Sequence, residues 1–406
     1  MSTHSEAMGA PAGLDHCPFM PTYGAPAVRM VRGEGVRLWD EDGREYLDFL
    51  AGIAVVSLGH ANPEIAEAIA AQARTLVHVS NLYGTVPGTE VALTLDRLLG
   101  GGGQIFFTNS GAEANEAAIK LARKWGRTLG GGDRYAVVSA HGSFHGRTLG
   151  ALHATGQPAK WEGFGPLPEG FRHVAWNDLD ALAGAIDDTV AAVLLEPLQG
   201  EGGVNPASAA YFEGVRRLCD EHGVLFMIDE VQTGLGRTGE WFGFQHFGIE
   251  PDVVALAKAL GNGMPIGACW ARREVAAAFS PGDHGTTYGG QPLAASAARA
   301  VLAIMERDNA PQMAERAGSR LRHLLEVVPG VAGVRGLGLL LGAQLEPGID
   351  SKTIAADALA AGLIVNAVTP DTLRFAPPLI VSDDEIDRAV EILTAVLAAR
   401  SMEAGA

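Results

Sequence analysis

The chain has 406 residues, more than one compact core usually holds, so two or three domains are expected. Lys and Arg number 30 against 47 Asp and Glu, a formal charge of −17 that repels phosphate backbones and anionic lipid and argues against nucleic-acid and membrane partners. Hydrophobic residues at 47% and charged residues at 19% mark a globular chain, and 53 glycines point to many tight turns and backbone-lined sites, the profile of an enzyme.

Residues up to about Asp15 read as a polar, irregular start. Pro, Asp, Glu and His within the first twenty residues interrupt the apolar stretch a signal peptide needs, and no apolar run approaches the roughly 20 residues that cross a bilayer. Cys17, Cys219 and Cys269 are widely spaced, with no CxxC pair and no zinc spacing, which fits a reducing compartment. A cytoplasmic protein is expected.

From Val36 to Phe49 the pattern alternates around Asp42-Gly43, a hairpin signature. Asn62-Pro63 opens an amphipathic helix through Val77, with Ile65, Ile69 and Leu76 on one face. The middle of the chain alternates apolar runs with helical stretches. Runs begin at Gln104, Tyr135, Val190, Val224, Val253 and Ile266, and a helix follows from Ser110 to Trp125. Apolar strands without alternation predict an α/β fold whose mostly parallel sheet is covered on both faces, with ligands at the strands' carboxyl ends. The glycine runs at 100–103 and 130–132 read as loops, because neither opens a helix directly after a strand. Beyond about Glu306 a helix through Val328, one apolar strand over Val334–Leu345 and a closing helix from Asp383 predict a smaller α+β domain. The expected boundaries are an N-terminal segment 1–75 joining that smaller domain, a large cofactor-binding domain 76–305 and a C-terminal domain 306–406.

Only five lysines occur, and Lys120, Lys124, Lys160 and Lys352 have a plain reading as solvated charges. Lys258 lies in Val253-Val-Ala-Leu-Ala-Lys-Ala-Leu, where an ammonium is costly unless deprotonated, paired or covalently bonded. A desolvated amine suits Schiff-base chemistry with an aldehyde cofactor; a lysine snorkelling from a strand end is the competing reading. Asp229 and Glu230 directly follow an apolar strand. A magnesium site of a nucleotide hydrolase would need GxxxxGK[ST] upstream, and the chain has no Gly-Lys dipeptide. A carboxylate serving a pyridine nitrogen needs a lysine at another strand end, and Lys258 is 29 residues on. Ser110, Gly111 and Ala112 sit where a strand runs into a helix, so they suit a phosphate, and Ser110 with Glu113 equally suits a capping box. His141 and His145 have metal spacing, but Gly142 argues for a loop and no third ligand follows, so no metal is expected. Gly336-Leu-Gly338 lacks the third glycine of a dinucleotide fingerprint.

Six motifs in order carry a specific resemblance: Ser110-Gly-Ala-Glu-Ala-Asn, His141-Gly-Ser-Phe-His-Gly-Arg-Thr, Glu196-Pro-Leu-Gln-Gly-Glu, Asp229-Glu-Val-Gln-Thr-Gly, the Lys258 segment and Gly285-Thr-Thr-Tyr. From about Pro21 to Arg400 the chain resembles the class III aminotransferases of fold type I, which use pyridoxal 5′-phosphate (PLP). The resemblance implies that Lys258 holds the cofactor and shuttles the substrate proton, that Asp229 pairs with the ring nitrogen, and that Glu230 beside it also contacts the cofactor. Phe144 and Val231 are expected against the two ring faces, Gln232 near the ring hydroxyl, and Ser110, Gly111 and Ala112 at the phosphate. Thr287 would join the phosphate from a neighbouring subunit, which implies a homodimer with shared active sites. Arg147 resembles the arginine that holds a substrate carboxylate remote from the reacting carbon, and Arg374 the one that grips the adjacent carboxylate of 2-oxoglutarate or glutamate. Glu201 occupies the place of a glutamate that covers Arg374 when the donor is N-acetylornithine, whose terminal amine has no adjacent carboxylate. Where the family commonly has Ser-Thr this chain has Thr286-Thr287, an added methyl expected to narrow the acyl pocket. Within the class, ornithine, succinylornithine and 4-aminobutyrate aminotransferases are the alternative activities, and the same fold also carries aminomutases and racemases, which need no 2-oxoglutarate.

Overall fold

The computed structural model describes Met20, Thr22, Tyr23 and residues 26–404. The polar start and Cys17 lie outside the described residues. The first strands, β1 (Met30–Glu34), β2 (Arg37–Asp40) and β3 (Glu45–Asp48), form an antiparallel meander. Asp40 makes the β2–β3 turn: its Oδ1 accepts from the Asp42 and Arg44 amides at 3.0 and 2.8 Å. The following helix, Pro63–Thr75, starts as its sequence dictates, with proline in the first turn and the Asn62 side chain accepting from the Glu64 and Ile65 amides.

The central sheet is built from β4 (Gly103–Thr108), β5 (Ala136–Ala140), β6 (Phe171–Val174) and β7 (Val190–Leu195). After a short ladder of β8 (Leu198–Gln199) with β9 (Asn205–Pro206), it is completed by β10 (Leu225–Asp229), β11 (Val253–Leu256) and β12 (Gly267–Arg272). Its order is β4-β12-β11-β10-β7-β5-β6. Every strand points the same way except β12, which is antiparallel to both neighbours. The unbroken apolar runs follow from burial on both faces. Leu225 and Met227 pack with Ala118, Leu121 and Ala122 of the helix Gly111–Thr128. Phe226 and Ile228 belong to the opposite core with Leu95, Phe212 and Leu302. The edge strand β6, Phe-Arg-His-Val, has no apolar run and escaped the sequence reading.

In the C-terminal part, Val334–Leu345 is not the single strand expected. It folds as a hairpin of β13 (Val331–Leu337) and β14 (Leu340–Leu345), turning at Gly338 and Leu339. Gly338 has φ +49, and a Cβ there would stand 2.3 Å from the Thr238 carbonyl carbon, so the turn needs glycine and presses on the larger sheet's loops. The sheet continues to β17 (Thr372–Phe375) and β16 (Asn366–Thr369), while β15 (Leu363–Ile364) pairs in parallel with β3, joining distant parts of the sequence. The helix Asp383–Ala404 closes the fold.

Candidate active site

The carboxyl ends of β4, β5, β7, β10 and β11 converge on one cavity of about 390 Å3. Each end supplies a polar group that the strand itself cannot use. From β10 comes Asp229. It continues the face of Leu225 and Met227 by the two-residue period of a strand and so points toward the helix Gly111–Thr128. Its Oδ2 accepts from Asn115 Nδ2 at 2.7 Å and from His145 Nδ1 at 2.8 Å, and its Oδ1 from the Val231 amide at 3.0 Å. A carboxylate only accepts, so His145 carries its proton on Nδ1. Its Nε2 is buried without a partner among the described residues.

Glu230 obeys the same alternation and turns away. Its carboxyl accepts from Thr233 Oγ1 and from the amides of Gly243 and Phe244, at 2.5 to 2.9 Å, and does not line the cavity. Desolvation raises its pKa to about 7. Its part is therefore to brace the loop after β10, in contrast to the cofactor contact expected of it.

From β11 comes Lys258, which starts a short 3₁₀ turn with φ +43, a left-handed conformation that a lysine adopts only when its surroundings over-determine it. Desolvation, then the charge of Arg374, lower its pKa to about 8, against the pull of Glu201, Asp229 and Glu196. Lys258 and Asp229 line one cavity together with Phe144, Arg147, Val231 and Gln232.

From β4 the chain turns into the helix Gly111–Thr128. Ser110 caps it, its Oγ accepting from the Glu113 amide at 3.2 Å, and Ser110, Gly111 and Ala112 all line the cavity. The first-turn amides have no helical acceptor and face the cavity with the positive end of the helix dipole. Gly111 packs directly on Val231: a Cβ there would meet Val231 Cγ1 at 2.7 Å.

Arg374 enters from β17 and is 1% exposed. Nη1 donates to Glu201 Oε1 at 2.5 Å and to Gln232 Oε1 at 3.2 Å, Nη2 to Asn366 Oδ1 at 2.7 Å, and Nε is buried without an acceptor among the described residues. Burial opposes ionisation of Glu201, but Arg374 beside it, with smaller help from Lys258 and Lys160, holds its pKa below the ordinary value. Thr286 and Thr287 line a separate cleft with Asn109, Glu113 and His284. There the Thr286 hydroxyl accepts from Asn109 Nδ2 and the Gly289 amide, at 3.1 Å each.

Glu196, Asn115 and His145 also line the cavity, and the sequence pattern does not mark them as site residues. Glu196 directly follows the apolar strand β7, much as Asp229 ends the apolar strand β10. Its Oε2 accepts from the Phe144 amide at 3.2 Å, and desolvation, then Asp229, push its pKa well up. Asn115 is a polar residue in the buried alanine face of its helix, and His145 shows in sequence only the spacing of a metal ligand.

These groups fit PLP on their own geometry: a desolvated amine and a triply hydrogen-bonded carboxylate share one cavity, and a glycine-bearing helix N-terminus opens into it. The family model for class III aminotransferases matches residues 20–397, and the chain belongs to that family of PLP-dependent transaminases. Acetylornithine aminotransferase of Caldanaerobacter subterraneus subsp. tengcongensis is 49% identical, over 93% of this chain and 96% of that one. The succinylornithine transaminase/acetylornithine aminotransferase of Pseudomonas aeruginosa is 46% identical, over 92% and 93%. Among solved structures, the ornithine aminotransferase of Toxoplasma gondii, with PLP partially occupying its active site, superposes with a TM-score of 0.90 at 34% identity, covering 95% of this chain and 93% of that one.

Proposed function

We propose that this transaminase moves the δ-amino group of N-acetyl-L-ornithine to 2-oxoglutarate, giving N-acetyl-L-glutamate 5-semialdehyde and L-glutamate, as a step of arginine biosynthesis in the cytoplasm. The observation that carries the reading is the Glu201–Arg374 pair at 2.5 Å beside Lys258. A donor reacting at a terminal amine presents a methylene where glutamate presents a carboxylate. A buried guanidinium left bare there would be costly, and Glu201 supplies the missing charge. When glutamate or 2-oxoglutarate enters, its carboxylate takes Glu201's place on Arg374, whose Gln232 and Asn366 contacts hold the guanidinium in position. The Caldanaerobacter and Pseudomonas relatives are named for acylated ornithines, in line with this pairing.

PLP, when bound, withdraws electrons from the substrate carbon that loses its proton. Lys258 would hold the cofactor and carry the substrate proton. Asp229, fixed by Asn115 and His145, would keep the ring nitrogen charged. Phe144 and Val231 would enclose the ring faces and Gln232 would lie near the ring hydroxyl. Ser110 and the Gly111 and Ala112 amides would take the phosphate. Arg147 would hold the remote carboxylate. Thr287 would complete the phosphate site of a partner subunit, with Thr286 beside the acyl group, so the working form is a homodimer. Residues 1–75 would then join 306–406 in a smaller domain beside the large domain 76–305.

A panel of ornithine, N-acetylornithine and N-succinylornithine with 2-oxoglutarate tests the reading: the acetyl form is expected to give the highest kcat/KM. Preference for free ornithine would overturn it. Preference for the succinyl form would move it to the second activity borne by the Pseudomonas relative.

A further inference from the structure

Phe144, whose ring lines the cavity, has two cations beside it. The Arg147 guanidinium carbon and the Lys160 Nζ each stand 5.8 Å from the ring centroid. Neither forms a hydrogen bond or an ion pair among the described residues. Elsewhere in this chain of net charge −17 many basic side chains find acids, as Lys124 does with Asp283, Arg172 with Asp187 and Arg320 with Asp387, and these two cations beside one cavity-lining ring do not. A cation–ring contact is worth about 0.5–1 kcal/mol at an accessible site, little reason to hold two like charges beside one ring.

The backbone that carries Lys160 is also fixed in place. Lys160 ends a 3₁₀ turn, Pro158–Lys160, that is stitched to the loop carrying Phe144. Gln157 Nε2 donates to the Ser143 carbonyl at 3.0 Å, the Lys160 amide to the Gln157 carbonyl at 2.9 Å, and Trp161 Nε1 to the Leu152 and Thr155 carbonyls at 2.9 Å. Its charge reaches Glu201, although Glu201 is already paired with Arg374.

We infer that Lys160 is a second substrate-binding residue, acting with Arg147 as a two-cation clamp for the carboxylate farthest from the reacting nitrogen. In the acylated donor this is the α-carboxylate; in 2-oxoglutarate it is the distal one. The inference rests on the substrate reading above and adds to it the residue that selects carboxylate-bearing donors. On this inference Lys160, half-buried beside the Phe144 ring, does more than the solvated charge expected of it.

Lys160→Met tests this. KM for N-acetylornithine and for 2-oxoglutarate is expected to rise about tenfold, with kcat moving far less, the loss of one partly solvated charge contact. N-acetylputrescine offers the same terminal amine without the carboxylate, and its single-turnover reaction with the holoenzyme is expected to show no change in apparent affinity. Calorimetric binding of glutarate, an unreactive dicarboxylate, is expected to weaken about tenfold and to recover in part in Lys160→Arg. A similar loss with N-acetylputrescine would mean that Lys160 only shapes the loop, and unchanged KM values with unchanged glutarate binding would mean that it takes no part; either overturns the inference. Failure of the wild-type enzyme to use N-acetylornithine would instead overturn the substrate reading, with the glutarate comparison still reporting on Lys160.

Discussion

Consecutive residues on a strand face opposite ways, and at the end of β10 that rule separates two carboxyls that look alike in sequence. Asp229 faces the cavity and Glu230 braces a loop behind it. Lys258 supplies the complementary amine, and burial sets its behaviour. Only the neutral amine attacks an aldehyde, and a pKa lowered from 10.5 to about 8 frees it sooner. In protein stripped of PLP, the rate of covalent PLP capture is expected to climb as pH rises through about 8 and to level off above it, as read by visible absorbance. Lys258→Ala is expected to lose that band and to cost ~10³-fold or more in turnover, since proton transfer alone contributes about 10²–10⁴. Arg374 reaches the cavity through its lining partners Glu201 and Gln232, and Arg374→Ala removes charged hydrogen bonds worth ~1.5–3 kcal/mol each. The half-reaction with glutamate is expected to slow by about 10- to 100-fold and that with N-acetylornithine by much less. Glu201→Ala should reverse the order, and equal losses in both half-reactions would end the idea of a switch. Asp229 and Lys258 were legible from sequence because a charged residue directly after an apolar strand is expensive and invites an explanation. Asn115 and His145 were not, because their worth lies in contacts across 114 and 84 positions of chain.

At the scale of elements, the helix Gly111–Thr128 has two jobs: its alanine face covers the sheet and its N-terminus opens into the cavity. Both depend on small residues. Gly146 lies so close to this turn that a Cβ would meet Ala112 Cβ at 2.7 Å, and a Cβ on Gly111 would strike Val231. Gly111→Ala is therefore expected to push Val231 into the cavity and weaken PLP binding about tenfold or more, with most of the loss regained in the double variant carrying Val231→Ala. Titration of PLP into the stripped protein measures both. Six of the seven strands of the central sheet and the helix from Ser110 were legible because periodicity and burial agree there, whereas β6 lacks the apolar run. The hairpin at Gly338 was not: β13 and β14 are both apolar, and a turn of Gly338 and Leu339 carries none of the usual polar turn residues, since it is packed on Thr238 instead of facing water.

Across the whole molecule, the parts of the site come from distant stretches of chain, and Arg237 ties those stretches together. It is 1% exposed and has no carboxylate partner among the described residues. Nη1 donates to the Leu339 and Pro377 carbonyls at 3.1 and 2.5 Å, and Nη2 to Ser57 Oγ at 3.1 Å. One guanidinium thus joins the loop after β10, the β13–β14 turn, the segment after β17 and the N-terminal region. Burial pulls its pKa down, yet a guanidinium stays charged in proteins, so its desolvation is a standing cost that only these acceptors offset. Arg237→Met keeps most of the volume but leaves two carbonyls and a hydroxyl unsatisfied, at about 1–3 kcal/mol each. The expected result is a loss of about 3 kcal/mol or more in denaturant unfolding. Because Pro377 lies three residues beyond Arg374, the surviving folded enzyme is also expected to show a larger KM for 2-oxoglutarate. A variant that unfolds early yet binds 2-oxoglutarate normally would confine Arg237 to stability, and one that matches the wild type in both would mean that the packing around this arginine holds the segments together without it.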